Sequence, residues 1–259
     1  MILKDKVVIV TGAGPGMGSK LCALIAEEGA KIVLAARTKD YVDELAENIR
    51  KAGGQALAVQ ADVGVRADCE RLAAAAVEKF GAINGLVNSA YRPGVFRPFE
   101  EADLDDWKAS IDVTLFGALN MIQSVLPTMK KTGGSIVNVG TMETRKPIAQ
   151  HGSYTVPKAA LQAATRQLAV ELGQYKIRVN SAVIGWMWGA PVEFYMNAMS
   201  SQTGVPVETM IAQTAATIPL GHIPPDFECA KSIIALLSDY NSQVTGAAVD
   251  INGGEYLAL

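Results

Sequence analysis

A doubly wound α/β domain, a parallel sheet with helices on both faces, is the fold class that this sequence predicts, on two observations. Short runs of β-branched and other apolar residues recur along the 259 residues without polar interruption. Such runs suit strands buried on both faces. Helical segments separate each run from the next, and that alternation is the mark of crossover units feeding a parallel sheet.

The elements follow in order. The run Lys6-Val7-Val8-Ile9-Val10 is a strand, closed at once by a glycine-rich turn, and Gly18 to Glu28 is the first helix. Further strands are expected at Lys31–Ala35, Ala56–Gln60, Gly85–Asn88, Ser135–Val139, Ile177–Ser181 and Ala247–Ile251. Helices are expected at Tyr41–Ala52, Arg66–Phe80, Leu104–Met129, Tyr154–Tyr175 and Phe227–Ser238. One stretch breaks the rhythm. Trp186 to Pro225 is rich in tryptophan, methionine and proline and has no strand signal. It reads either as an apolar flap over a ligand or as an insertion that packs as extra core or a subunit contact. There is no repeat, low-complexity tract or linker, so residues 1–259 form a single domain, with 186–225 as a substrate lid within it.

At 49% hydrophobic and 19% charged residues, the chain suits a soluble globular domain with a sizeable core. A formal charge of −3 offers no general electrostatic reason to bind nucleic acid or an anionic membrane. No run approaches a membrane span, and Met1-Ile2-Leu3-Lys4-Asp5-Lys6 lacks the design of a signal peptide. Cys22, Cys69 and Cys229 are scattered, without ligand spacing, and read as reduced thiols, so a cytoplasmic location is expected. His151 and His222 stand far apart, and no metal site is expected.

Thr11-Gly12-Ala13-Gly14-Pro15-Gly16-Met17-Gly18 follows the first strand and opens the first helix. Glycines there let the backbone turn tightly and approach a pyrophosphate, which the free N–H groups and positive dipole end of the helix then receive. The segment therefore predicts dinucleotide binding. Strand two runs out at Ala36-Arg37, where NAD sites commonly carry an acid; an arginine instead can grip a 2′-phosphate, so NADP(H) is favoured over NAD(H). Asp62-Val63 closes the third strand and is placed to meet the adenine edge, or to serve only as a cap or turn.

Tyr154 and Lys158 are four positions apart and fall on one helical face, about 6 Å from one another. A free tyrosine titrates near pH 10, and lowering that by roughly three units takes about 4 kcal/mol of preference for the phenolate. A nearby lysine and a cationic cofactor are candidate sources.

Together these pieces resemble the short-chain dehydrogenase/reductase family in its common subclass, over essentially the whole chain. Thr11-Gly12-x-x-x-Gly16-x-Gly18 matches the cofactor motif of that subclass, and Asp62 its adenine-contacting acid. Asn88-Ser89-Ala90-Tyr91 stands where the family has Asn-Asn-Ala-Gly, so Tyr91 adds a side chain beside the cofactor. Val244-Thr245-Gly246 and Asp250-Ile251-Asn252-Gly253-Gly254 resemble the closing strand and turn. The resemblance implies a Rossmann-type fold and a cofactor surface that includes Gly12, Gly14, Gly16, Met17, Gly18, Arg37, Asp62, Val63, Asn88, Ala90 and Gly185. It also implies a catalytic set of Tyr154, Lys158, Thr141 in the place of the usual serine, and Thr114 in the place of the usual asparagine. Gly189 replaces a threonine expected near the carboxamide.

By that resemblance a hydride passes between the nicotinamide and a ketone or secondary alcohol. Tyr154 moves the proton, Thr141 orients the substrate oxygen, Lys158 holds the ribose and lowers the pKa of Tyr154, and Thr114 relays protons through its carbonyl. Tyr91, Glu143, His151, Trp186, Trp188 and Phe194, with Met196, are the candidate pocket wall. Their apolar bias points to a hydrophobic or ring-bearing substrate. Glu143 is open to two roles, a contact to a polar substrate group or a solvated carboxylate. A homotetramer or homodimer built on the fourth and fifth helices is implied by the family alone. The alternatives are a non-catalytic NADP-binding sensor and an enoyl reductase. The three-residue gap between Tyr154 and Lys158 argues against the second.

Overall fold

The computed structural model describes residues 1–257. Its strands are β1 (Val7–Thr11), β2 (Lys31–Ala36), β3 (Gln55–Gln60), β4 (Gly85–Asn88), β5 (Gly134–Thr141), β6 (Ile177–Ile184) and β7 (Ala248–Ile251). All pair in parallel, in the order β3-β2-β1-β4-β5-β6-β7. The helices are α1 (Met17–Glu27), α2 (Lys39–Lys51), α3 (Arg66–Phe80), α4 (Leu104–Ile111), α5 (Gly117–Thr132), α6 (Gly152–Leu172), α7 (Ala190–Thr203), α8 (Val207–Ala215) and α9 (Asp226–Leu237).

Alternation along β1 builds the two core layers. Val8 and Val10 face a cluster with Leu21 and Ile25 of α1 and Ile233 and Leu237 of α9. Val7 and Ile9 face the opposite cluster, with Leu72 of α3 and Met121 and Val125 of α5. Both faces of every central strand are thus covered, which is why these strands read as unbroken apolar runs.

Four departures matter. Strands β5 and β6 run further than their apolar runs, carrying Thr141 and Ile184 to their carboxyl ends. The expected helix over 104–129 carries a π turn at Asp112–Phe116. Moreover, Leu104–Thr132 forms 29 residues of continuous helical backbone, long and apolar enough to cross a bilayer, contrary to the expectation that no run approaches a span. Its Met121, Ile122, Val125 and Met129 are instead buried against the sheet. Finally, 186–225 is not a plain loop: α7 and α8 form within it, around a small core of Met196, Ile218 and Ile223.

Candidate active site

The strand order reverses between β1 and β4, so the loops that leave their carboxyl ends diverge and open a crevice. Thr11 and Asn88 are register partners there. The glycine loop after β1 is packed tightly on one side. A Cβ on Gly12, whose φ is 71°, would lie 2.5 Å from the Ala90 amide nitrogen, and one on Gly18 would lie 2.2 Å from the Gly12 carbonyl oxygen. At Gly14 a Cβ would meet nothing within 4 Å. Gly16, at the α1 N-cap, provides no side-chain cap, and Met17 is buried beneath it. The result is a cradle closed toward the protein and open outward, at a helix amino terminus without a capping side chain. These residues fit a dinucleotide pyrophosphate.

At the end of β2, Arg37 is exposed, and its side chain has no hydrogen-bond or ion-pair partner among the described residues. It lines a cavity of about 430 Å³ with Gln60, Ala61, Asp62, Asp68 and Arg71. Arg71 was not foreseen. It is anchored by Gln60 O at 2.9 Å and Asp68 Oδ1 at 2.7 Å, and its only sequence signal was the three-residue step from Asp68 on α3. Asp62 Oδ1 accepts from the Gly64 amide at 2.9 Å, so this carboxylate holds its own turn. Val63 is buried and packs beside Gly117.

Two expected cofactor residues also serve the packing around the sheet. Asn88 is 3% exposed, and its Nδ2 donates to Asn138 Oδ1 at 2.9 Å; Asn138 in turn donates to Thr165 Oγ1 at 2.9 Å. The Nδ2 end therefore ties β4 to β5 and, through Asn138, to α6, while the buried Oδ1 has no hydrogen-bond partner among the described residues. Gly185 is required by packing, since a Cβ there would lie 2.5 Å from the Asn252 Cβ.

Thr141 ends β5 and is nearly buried, with its Oγ1 3.3 Å from the Glu143 amide that donates to it. Tyr154 and Lys158 lie in the first turns of α6. Burial pushes the Tyr154 phenol well above its ordinary value. The Thr141 hydroxyl opposes that push, and the Tyr91 and Glu143 charges add to it. Lys158 is 2% exposed, and burial lowers its pKa to about 7. Its Nζ donates to Val139 O at 2.5 Å and lies 5.1 Å from the Tyr91 ring centroid, and that ring meets Tyr154 edge-on at 5.7 Å. In this structure burial dominates the Tyr154 pKa and outweighs any lowering by Lys158, whose Nζ is engaged by a carbonyl. Thr114 is fully buried in the π turn, and its Oγ1 accepts from the Arg92 amide at 3.2 Å. A π turn interrupts the regular i→i−4 ladder, which suits a carbonyl reserved for another partner.

Among the wall candidates, Glu143 and His151 come together at 2.9 Å. Phe96, from a loop without periodic signal, stacks on His151 at 4.0 Å. Trp186 and Trp188 pack against the small core of the 186–225 segment, Met196 lies inside it, and Phe194 is 77% exposed. Phe194 thus faces solvent in this structure, and the tryptophans pack within the 186–225 segment. A separate groove of about 500 Å³ opens at the amino ends of the strands, beside Lys6 and Arg178. Those cations are engaged by Asp239 and by the carbonyls of Leu236, Leu237 and Ser238, and no candidate residue reaches it.

The Lys158 shift has a measurable consequence. Between about pH 7 and its ordinary value of 10.5 the unfolded chain carries a proton that the folded one lacks, so stability rises with pH there. The limiting slope is about 1.4 kcal/mol per pH unit. Cys22, Cys69 and Cys229, held as thiols by burial, reverse the trend once pH passes their ordinary value of 9.0. Urea unfolding of the wild type from pH 7.5 to 8.5 is therefore expected to show rising stability, and Lys158→Met a flatter profile. Equal slopes would contradict the shift.

The family model described as short chain dehydrogenase matches residues 6–193. The 2,5-dichloro-2,5-cyclohexadiene-1,4-diol dehydrogenase of Sphingobium indicum is 32% identical over 97% of this chain and 96% of its own length. The trans-4-hydroxycyclohexanecarboxylate dehydrogenase of Sinomonas cyclohexanicum is 32% identical over 97% of this chain and 93% of its own. An NAD+-bound xylitol dehydrogenase superposes with a TM-score of 0.90 at 26% identity, over 98% of this chain and all of that one. With the glycine cradle at the switch point of a seven-stranded parallel sheet, these likenesses make the chain a member of the short-chain dehydrogenase/reductase family, an oxidoreductase acting on alcohol and ketone groups.

Proposed function

We propose that the chain interconverts a ring-bearing ketone and its secondary alcohol, with Tyr154 as the proton-transfer group and NADP(H) as the favoured cofactor over NAD(H). One cluster carries this: the Tyr154 phenol beside the Thr141 hydroxyl and the buried Lys158, across β4 from the open glycine cradle. When bound, the nicotinamide supplies or accepts the hydride. Tyr154, kept protonated by burial, is loaded to donate its proton to a ketone oxygen, and in the reverse direction it must first release that proton. Thr141 donates a hydrogen bond that orients and polarises the same oxygen. Lys158, titrating near neutrality, stabilises the phenolate left behind, and Tyr91 bears on both groups. The Thr114 carbonyl leads a proton back from solvent. Two relatives named for six-membered-ring hydroxy compounds support a ring-bearing substrate.

The 186–225 segment acts as the lid of this single domain. Assembly as a homodimer or homotetramer through α4, α5 and α6 is supported by the exposed Leu104, Phe116, Val156 and Val170. Three buried free thiols agree with a cytoplasmic location.

Cofactor preference is tested at Arg37, an exposed guanidinium at the end of β2 and without a protein partner. Arg37→Ala is expected to raise the dissociation constant for NADP(H) by about 10- to 100-fold, the worth of a charge-assisted contact, with little change for NAD(H). Calorimetry with both cofactors reads this directly. Tighter binding of NAD(H) by the wild type would overturn the preference.

A further inference from the structure

Proton transfer leaves the most polar part of the pocket wall unused. Glu143 and Thr141 are two residues apart on one short turn, so their Cα atoms lie within about 7 Å, the span of a small ring. The Glu143 Oε2 faces His151 Nδ1 at 2.9 Å and accepts from Thr155 Oγ1 at 3.2 Å. Its Oε1 has no hydrogen-bond partner among the described residues, and nor has His151 Nε2. The imidazole is held in place by Phe96, stacked at 4.0 Å and 12°. The side chains of Glu143 and His151 are 16% and 24% exposed. A carboxylate withdrawn this far from water needs donors, and two are provided while one oxygen stays available. The charge also acts on Tyr154, which sets the pair beside the proton-transfer group.

We propose that the open oxygen of Glu143, oriented by His151 and Thr155, receives a second hydroxyl of the substrate, so that the preferred substrate is a hydroxy-ketone or the matching diol. This rests on the oxidoreductase assignment of Tyr154 and Thr141. A hydroxyl fits better than a cation, because His151 already offsets part of the carboxylate charge, while Nε2 stays free as a second polar contact. Glu143 is thus a specificity residue and takes no part in the hydride or proton step.

The test compares hydroxycyclohexanones with methylcyclohexanones substituted at the same ring position, which differ by a hydroxyl for a methyl. Nicotinamide absorbance gives kcat/KM for each with the full-length protein. The wild type is expected to favour the best hydroxy isomer over its methyl counterpart by at least about tenfold, as a site built to receive a hydroxyl does. In Glu143→Leu, and in the isosteric Glu143→Gln should the leucine variant fail to fold, that ratio falls several-fold toward one. A wild-type ratio near one, or a ratio untouched by either variant, overturns the proposal and leaves the oxidoreductase assignment standing. No turnover of any ketone or alcohol with either cofactor overturns both.

Discussion

Replacing Tyr154 by phenylalanine is expected to lower turnover of any accepted ketone by about 10³-fold, within the range that a positioned acid contributes. The substitution removes one oxygen and leaves the ring to pack edge-on against Tyr91. The phenol is strongly disfavoured as phenolate by burial, so its hydroxyl resides in the protein as an acid awaiting an acceptor. Folding and cofactor affinity therefore stay near wild type while the chemical step collapses. Single-turnover absorbance of reduced cofactor, together with calorimetric cofactor binding, separates these effects. Full turnover by Tyr154→Phe would sink the assignment.

Gly18→Ala is the second large effect, and two opposing terms decide it. Alanine is favoured over glycine in a helix interior by about 1 kcal/mol. Against that, the new Cβ lies 2.2 Å from the Gly12 carbonyl oxygen, a backbone atom that cannot swing aside as a side chain would. Either the loop or α1 must shift, and overpacking of this kind costs about 1–3 kcal/mol or more. We expect a net loss of stability and at least about a 100-fold loss of dinucleotide affinity, since the cradle depends on that close approach. Gly14→Ala is the control. Its Cβ meets no protein atom within 4 Å, so the protein folds normally and loses only cofactor affinity. Normal cofactor binding by Gly18→Ala, measured by calorimetry beside a urea melt, would show that the close approach is not needed.

Much of this was legible in the residues. The apolar runs named the strands because a parallel sheet with both faces covered tolerates no polar alternation, as Val7 to Thr11, all buried, illustrates. The glycine loop was legible because φ above zero and close backbone approach can be met by few other residues. The Tyr154–Lys158 spacing survived because α6 forms where helical periodicity places it. Helices α7 and α8 escaped notice, since they bury their apolar residues against a small core of their own rather than against the sheet. Phe96 and Arg71 escaped for a different reason: each acts through a partner distant in sequence or across a turn.

The sequence alone determined the fold class, the order of the strands along the chain and the residue types available for proton transfer, because these follow from local periodicity and from chemistry carried by single side chains. Only the tertiary structure decided their protonation and engagement. Burial turned Tyr154 into a stronger hold on its proton and Lys158 into a near-neutral titrating group. It also engaged the Asn88 Nδ2 in a cross-strand tie and joined Glu143 to His151, eight residues away, in one polar wall. Desolvation and long-range hydrogen bonding are properties of the packed surroundings, and no spacing along the chain encodes them.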